Sequence, residues 1–512
     1  MVDPITLEVA RNQFASIAEE MGTVLRAAAY SPNIKERADC SAAVFLANGE
    51  MLAQAEHIPV HLGSMPASVK AILDVFGTAM VPGTQYAVND PFAGGTHLND
   101  LTILCPVIHG SRLVAWVANR AHHADVGGDA PGSMPADAVR LTDEGHVVSP
   151  MVAVEDGSWN PAFLEPFIAA TRTPQERMGD LSSQLGANEV GAKRLLELIE
   201  AEGISDFYKV TEALLGYGER RMRAAVGALP NGEFEFEDVM EWQGDLLPIR
   251  AQLRISGTDL AVDFSGTTDQ VEGNINAVRA VTMSSVYYAV RVATDPSIPA
   301  NGGCYRAIHL LTRPGSLVDA AGGVAVAAGN VETSQRIADV VLGALSQAAP
   351  DRVPAASQGT MNNVLIGNDN FAYYETIAGG QGARPGRNGQ SGIHTGMTNT
   401  KNTPVESLER HYPFTVERYA LRSGSGGSGK WDGGDGIERM LRFSEPATVS
   451  LMGERRLVGP WGLAGGSAGA VGEDWLLRAG DSEPEKLPGK ITFEVAEGDR
   501  LIVKTPGGGG YG

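Results

Sequence analysis

Residues 94–128 read GGTHLNDLTILCPVIHGSRLVAWVANRAHHADVGG. Two runs within this stretch, 101–108 and 113–119, are apolar and rich in β-branched side chains, which is typical of strands. Gly110 and Ser111 lie between the runs and are residues that turns favour. The stretch therefore predicts an antiparallel hairpin closed by a two-residue turn.

The open end of this hairpin gathers side chains that bind metals. A two-residue turn places Asp100 opposite Ala121 and Asn99 opposite His122. The polar cluster predicted at the open end consists of His97, Asp100, His122 and His123.

Strict alternation along a strand raises a difficulty for this cluster. It places His97 on the same face as His122 but turns Asp100 to the opposite face. A bend or bulge is therefore expected within residues 97–100, and the glycines at 94 and 95 permit one.

Two imidazoles and a carboxylate suit Zn, Mn or Fe, and they leave coordination positions free for water or substrate. We therefore predict one divalent metal, with zinc or manganese preferred, held by His97, Asp100 and His122. Histidines at a strand end can also be ordinary surface or hydrogen-bonded groups, and His122 and His123 could exchange roles. His123 and Asp125 are expected to orient a ligand, and His123 could also transfer protons.

Further candidates lie upstream of the hairpin. Asp39, just before a predicted strand in ERADCSAAVF, could be a fourth ligand, a base for a metal-bound water, or a solvated turn residue. His57 and His61 have metalloprotease spacing, but the intervening Pro59 and the lack of the motif's Glu disfavour that motif. On an extended segment both histidines would face one cavity, where His61 is a catalytic candidate. Both could equally be hydrogen-bonded loop residues.

Bulk composition favours a cytoplasmic enzyme subunit. The chain has 512 residues, which predicts about two to four subdomains. A net charge of -21 argues against nucleic acid or an anionic membrane as partner. No apolar run approaches a membrane span, and the first residues lack a signal-peptide pattern. The three cysteines are too scattered for a disulfide framework, so a reducing compartment is expected.

Strand patterns and long helical patterns come in blocks, which predicts an α+β fold of several subdomains with antiparallel hairpins. Helices are predicted at 5–30, 67–76, 176–202, 206–228, 277–294 and 331–348, and strands at 233–265. Asn330 could cap the last of these helices. The predicted regions are 1–175 with the metal site, 176–230 helical, 231–420 mixed with substrate-cavity loops, and 421–512 glycine-rich β structure.

One stretch imitates a nucleotide-binding loop. Residues 424–430 read GSGGSGK, but Trp431 replaces the Ser or Thr that would hold Mg²⁺. The following WDGGDGIER is rich in turn residues and does not predict the helix whose N-terminus would meet a phosphate. We therefore expect ATP, if the reaction uses it, to bind a partner.

The sequence resembles the hydantoinase B family, which includes B subunits of ATP-dependent hydantoinases and 5-oxoprolinases, the caprolactamase β subunit and subunits of acetone carboxylase type. The resemblance spans essentially the full length. The motifs that carry it are NDPFAGGTHLNDLTILCPV, NRAHHADVGGDAPGSMP, IKERADCSAAVF, AEHIPVHLGSMP, ETIAGGQGA, IHTGMTNTKNTPVESLE, SGGSGKWDGGDGIER and KTPGGGGYG.

This resemblance implies the hydrolase subunit of an ATP-dependent cyclic amidohydrolase. A hydantoinase A type subunit would phosphorylate the amide of a hydantoin, 5-oxoproline or related lactam, and this chain would open the ring at its metal. The two chains would form a heterotetramer or a larger assembly. The resemblance also favours Asp39 as part of the metal site. It makes candidate substrate-binding residues of Glu375, His394, Asn399, Asn402 and Glu406.

Three other functions fit the same residues. A carboxylase subunit of acetone carboxylase type would use the metal to polarise CO₂ or bicarbonate, although the chain is short beside such subunits. A non-catalytic scaffold would only dock the ATPase subunit, but the intact metal cluster disfavours it. A metallohydrolase acting alone would need neither partner nor ATP.

Overall fold

The computed structural model describes residues 2–55, 59–61 and 63–512. Its helices are, in chain order, α1 Pro4–Ala28, α2 Pro32–Lys35, α3 Met65–Phe76, α4 Leu141–Glu144, α5 Pro161–Ala170, α6 Pro174–Glu202, α7 Ile204–Gly227, α8 Arg279–Ala293, α9 Gly302–Tyr305, α10 Ser334–Ala348 and α11 Val405–His411. Short helical turns at Pro59–His61 and Pro91–Ala93, and a wider, π-helical turn at Gly329–Thr333, complete the helical structure of the described residues. No helix among the described residues is long and apolar enough to cross a lipid bilayer.

The first sheet carries the predicted hairpin and is antiparallel throughout. Its strands are β1 Cys40–Leu46, β2 Met51–Ala55, β3 Gln85–Val88, β4 Asp100–His109, β5 Arg112–His122, β6 Met151–Glu155 and β7 Ser158–Trp159, in the spatial order β2-β1-β5-β4-β3-β6-β7. Along β1, Val44 packs into the cluster formed with α1, α6 and α7, whereas Phe45 packs into the larger core that includes α3. Both faces of the sheet are therefore covered.

The hairpin has a register that the two-residue turn alone does not give. Near the turn, His109 pairs with Arg112 as predicted. The register then shifts between Val107 and Ile108, so Asp100 pairs with His122. The predicted pairing of Asp100 with Ala121 is thus wrong, because a bulge near the turn moves the rest of the hairpin by one residue. Cross-strand partners share a face, so this bulge brings Asp100 to the side of His122.

Three further sheets follow the helical pair α6 and α7. One has the order β11-β10-β9-β8 and consists of β8 Gly232–Trp242, β9 Asp245–Ser256, β10 Asp259–Asp263 and β11 Ile308–Leu311, with α8 and α10 nearby. The second has the order β13-β12-β16-β19 and consists of β12 Asn363–Gly367, β13 Ala372–Thr376, β16 Ala447–Met452 and β19 Lys490–Val495. The last has the order β14-β15-β20-β17-β18 and consists of β14 Phe414–Arg422, β15 Gly436–Phe443, β17 Glu473–Leu477, β18 Glu485–Leu487 and β20 Arg500–Lys504.

A single hydrophobic cluster joins the last two sheets, with Ile366 from one and Leu501 from the other completely buried. The α+β prediction is confirmed, as is the series of short strands in the glycine-rich C-terminal part. The helix predicted at 331–348 begins at Ser334. The wider turn Gly329–Thr333, which includes Asn330, precedes it. Asn330 is therefore not an N-cap, and its side chain points instead to Asp100. The region boundaries predicted near 175 and 230 stay a proposal.

Helix α6 offers a matched test of packing against α1. A Cβ added at Gly191 would lie 2.3 Å from the sulfur of Met21, which is completely buried. A Cβ added at Gly186, in the same helix, would meet nothing within 4 Å. We expect Gly191→Ala to lower the free energy of unfolding by about 1–3 kcal/mol, through overpacking. Gly186→Ala should raise it by about 0.5–1 kcal/mol, because alanine loses less backbone entropy in a helix.

Denaturant titration of both variants and the parent chain measures these differences. Equal midpoints for the two alanine variants would contradict the packing described for α1 and α6.

Candidate metal centre

Asp100 and His122 meet because each lies at the open end of its strand. Asp100 is the first residue of β4, His122 is the last residue of β5, and the two are paired. His97 belongs to the turn that enters β4, where the Asp100 amide donates to the His97 carbonyl over 3.1 Å. The bend expected within residues 97–100 is therefore present, and it turns the His97 ring towards the two strand ends.

The three side chains converge on one oxygen of Asp100. The Asp100 Oδ1 atom lies 3.1 Å from His97 Nε2 and 3.2 Å from His122 Nδ1. One candidate ligand atom from each residue lies within 4.8 Å of the others. This separation is appropriate for three atoms that surround one ion.

The unpaired atoms of the cluster fit a metal. Both ring nitrogens of His97, and Nε2 of His122, are buried and have no hydrogen-bond partner among the described residues. Leaving buried polar atoms unpaired costs free energy, whereas a metal ion would engage one nitrogen of each ring. Burial also lowers the pKa of His122 to about 3, so its imidazole is neutral and able to act as a ligand.

Asp100 is ionised despite its burial. Loss of water opposes ionisation, but the neighbouring His97 and His61 outweigh it, and the pKa of Asp100 lies well below its usual range. The residue is 1% exposed. A buried carboxylate held in its charged form is a ligand of the kind that divalent metals require.

Asp39 lies beside this cluster, in front of β1. Its carbonyl accepts from the amide of His122 over 3.0 Å, and its carboxylate is 4.0 Å from Arg37. Burial raises the pKa of Asp39 to about 7, despite the opposing charge of Arg37. The solvated turn predicted as one alternative is wrong, because Asp39 is 5% exposed.

A cavity of about 20 Å³ joins Asp39 to the cluster. It is lined by Asp39, Val60, His61, Asp100, His122, Asn330, Val331, Met361, Tyr374, Thr376, Thr398 and Thr400. The Tyr374 ring stacks on His122, with centroids 4.5 Å apart. Residues from distant parts of the chain therefore enclose the centre.

His61 lies at the same cavity but has both nitrogens engaged. Its Nδ1 is 2.8 Å from Ser41 Oγ, and its Nε2 is 3.3 Å from Asp100 Oδ2. His57, its predicted companion, lies outside the described residues.

The structure separates His123 from His122. His123 Nε2 lies 2.9 Å from the Gln184 side chain on α6, and its ring packs edge-on against Phe167. Asp125 accepts from the Gly132 amide and pairs with Arg172 at 3.0 Å. Of the two adjacent histidines, the one beside Asp100 is therefore His122.

The predicted substrate-binding residues occupy different positions. The Glu375 carboxylate is buried, pairs with Arg439 and accepts from the Thr403 amide over 2.9 Å, whereas the neighbouring Thr376 lines the cavity. Glu406 is exposed on α11. Asn402 lies 3.3 Å from His394 and donates to the Tyr419 hydroxyl over 2.7 Å.

His394 and Asn399 line a second cavity of about 360 Å³. This cavity and the small one at the metal cluster share Thr398 as a lining residue. The larger space is of a size that holds a small molecule, and it lies next to the cluster. The structure thus places these two predicted residues at the cavity next to the centre, whereas Glu375, Asn402 and Glu406 line neither cavity.

Sequence reasoning missed several residues at the centre. Thr96, Arg37, Tyr374 and the three cavity threonines carry no spacing pattern of their own. A signal was nevertheless present, since Thr398 and Thr400 belong to IHTGMTNTKNTPVESLE and Thr96 to GGTHLND, both of which carry the family resemblance.

The glycine-rich segment 424–430 lies between strands β14 and β15. Lys430 places its ammonium 4.6 Å from the centre of the Trp431 ring. We expect the isolated chain to show no micromolar MgATP binding in calorimetry, because the element that follows the loop is a strand and not a helix. Micromolar binding that Lys430→Ala abolishes would contradict this prediction.

Comparisons with known proteins place this geometry in context. Residues 3–512 match the family described as hydantoinase B/oxoprolinase. Uncharacterized protein MJ0963 of Methanocaldococcus jannaschii is 41% identical over the whole chain and 91% of its own length. 5-oxoprolinase 1 of Arabidopsis thaliana is 37% identical over the whole chain, which spans 42% of that protein.

Two solved structures are similar over the full chain. ATP-dependent caprolactamase from Pseudomonas jessenii has a TM-score of 0.93 at 28% identity, with 91% of that chain covered. A nucleotide-free acetone carboxylase has a TM-score of 0.91 at 18% identity, with 76% of that chain covered. The second likeness is one of fold alone.

Proposed function

The chain belongs to the hydantoinase B/oxoprolinase family, and on that premise we propose that it is the ring-opening, metal-dependent subunit of an ATP-dependent cyclic amide hydrolase. The observation that carries the proposal is the buried cluster of His97, Asp100 and His122, in which His97 Nε2 and His122 Nδ1 face one carboxylate oxygen and both His97 nitrogens lack a hydrogen-bond partner among the described residues. Its proposed location is the cytoplasm.

The ligands proposed for a Zn, Mn or Fe ion are His97, Asp100 and His122, with Asp39 as a fourth ligand or as the base. Such an ion would act as a Lewis acid towards an oxygen on the carbon under attack and would lower the pKa of a bound water. Asp39 lies at the same cavity and can accept a proton from the attacking water at its carboxylate oxygen. Thr376, Thr398 and Thr400 present hydroxyl groups that can hydrogen-bond a polar substrate.

The larger cavity is proposed to hold the body of the ring. Tyr288, Val292 and Trp461 give it apolar walls, and His394 and Asn399 add polar groups. Burial lowers the pKa of His394 to about 4, so this imidazole is neutral at physiological pH. A lactam, a hydantoin or 5-oxoproline would fit a space of about 360 Å³.

Activation of the amide is assigned to a partner. Amide resonance makes the carbonyl carbon a poor electrophile, and the one loop resembling a phosphate site is followed by a strand. The chain spans about two fifths of the plant 5-oxoprolinase it matches, which leaves that protein room for a phosphorylating part. We therefore propose a hydantoinase A type ATPase as partner, forming a heterotetramer or a larger assembly.

The test is to co-purify this chain with such an ATPase and to offer hydantoin, 5-oxoproline and ε-caprolactam with MgATP. ADP and ring-opened product are then measured in parallel. ADP and product released together would support the proposal. Ketone and bicarbonate consumed in place of a cyclic amide would identify the carboxylase alternative, and product without ATP would identify a hydrolase acting alone. Unchanged product formation after removal of the metal ligands would identify a scaffold.

A further inference from the structure

The second carboxylate oxygen of Asp100 is occupied by three donors. Thr96 Oγ1 donates to Asp100 Oδ2 over 2.7 Å, His61 Nε2 lies 3.3 Å from it, and Asn330 Nδ2 lies 3.5 Å from it. All of these groups are buried. The donors come from three separate segments: the turn before β4, Pro59–His61, and the wide turn Gly329–Thr333.

We propose that Thr96, His61 and Asn330 are positioning residues that restrict Asp100 to ligation through its Oδ1 oxygen alone. This inference rests on the proposed metal-dependent function. Oδ1 faces His97 and His122, whereas Oδ2 faces the three donors. An oxygen that accepts three hydrogen bonds has no lone pair free for a metal, so Asp100 takes up one coordination position and leaves others for substrate and water.

His61 is assigned a positioning role, and not that of a metal ligand, because both of its ring nitrogens have hydrogen-bond partners. A carboxylate that binds a metal can only accept hydrogen bonds, so His61 Nε2 carries a proton and donates it to Asp100 Oδ2. In the neutral ring, Nδ1 is then an acceptor, and the Ser41 hydroxyl donates to it over 2.8 Å. Ser41 therefore fixes the tautomer of His61. His97 differs from His61, since neither of its ring nitrogens has a hydrogen-bond partner among the described residues.

Asn330 is held rigidly by the turn in which it lies. A Cβ added at the first residue of this turn, Gly329, would lie 1.8 Å from the Asn276 carbonyl oxygen, so the turn packs directly on neighbouring backbone. Glu332, in the same turn, accepts from the Met361 amide over 2.9 Å and from Asn363 over 2.7 Å. Wide turns of this kind at the start of a helix are frequent at functional sites. Here the turn connects α10 to the metal hairpin.

The test compares Thr96→Val, which is nearly isosteric but cannot donate, with Thr96→Ser, which keeps the hydroxyl. Metal affinity of the isolated chain is measured by chelator competition, and the geometry by the absorption spectrum of the cobalt-substituted chain. We expect Thr96→Val to weaken metal binding by about 10- to 100-fold and to change the cobalt spectrum. Thr96→Ser should resemble the parent chain in both.

Further variants separate positioning from folding. Thr211→Val removes a buried hydroxyl that bonds only a backbone carbonyl on α7, and it should leave metal affinity unchanged. Asn330→Ala and Ser41→Ala should each weaken metal binding, which keeps the test decisive if Thr96→Val does not fold. A parent chain that binds no metal would refute the proposed function itself. A parent chain that binds metal, with folded variants equal to it in affinity and spectrum, would overturn only the positioning role.

Discussion

Replacing either His97 or His122 by alanine should remove the metal from the chain. The parent chain is expected to retain about one ion after dialysis, and each variant close to none, because loss of one imidazole leaves too few ligands for tight binding. In the assembled complex, ring-opened product should fall by roughly a thousandfold, which corresponds to the several kcal/mol that a catalytic metal supplies. Elemental analysis and product formation measure the two effects.

Two controls sharpen this test. His309 is exposed and contacts Asp259 at 3.1 Å, so His309→Ala should keep full metal content. His123→Ala should also keep the metal, because His123 contacts Gln184 and not Asp100. Full metal content in both His97→Ala and His122→Ala would refute the centre, and loss of metal only in His123→Ala would reverse the assignment of the two adjacent histidines.

Asp39→Asn should uncouple ATP use from ring opening. In the proposed reaction, phosphorylation of the amide requires only the partner's site, whereas ring opening requires a carboxylate beside the candidate metal centre. We expect ADP release on substrate to continue, while ring-opened product falls by about two to four orders of magnitude. The readout is ADP and product measured in parallel for the reconstituted complex.

The substitution is mild for the fold, which makes the result interpretable. An asparagine side chain has nearly the same shape as that of Asp39, and Arg37 would keep its bonds to Asn33, the Tyr374 carbonyl and Thr376. Asp74→Asn, on the exposed face of α3, is the matched control and should leave both rates unchanged. Product formation near the parent rate in Asp39→Asn would remove Asp39 from the mechanism.

Local pattern was sufficient for much of the fold. Helix α1 is encoded by the apolar spacing of Phe14, Ile17, Met21 and Leu25, and these four side chains are buried in the structure. The Asp3 side chain also caps its first turn. The hairpin of β4 and β5 follows equally from two β-branched runs around Gly110. Such features depend on neighbours within a few residues, so one sequence suffices to predict them.

The residue types of the candidate metal centre were also present in the sequence. Asp100 and His122 lie at the open end of one hairpin and His97 in the turn just before it, and the hairpin brings these segments close together. The choice between His122 and His123 was not present, because the two are adjacent at the end of one strand and differ in the face they occupy. A bulge far away, between Val107 and Ile108, contributes to that choice by setting which residue pairs with Asp100.

Sequence by itself determined the main elements, the family resemblance and the residue types of the candidate centre, since each depends on patterns that can be read along the chain. Only the tertiary structure decided what surrounds them. Ser41, Asn330 and Tyr374 reach the cluster from segments far apart in sequence. No local pattern records such contacts, because they arise from the packing of sheets and helices, and packing selects partners by shape and burial rather than by spacing.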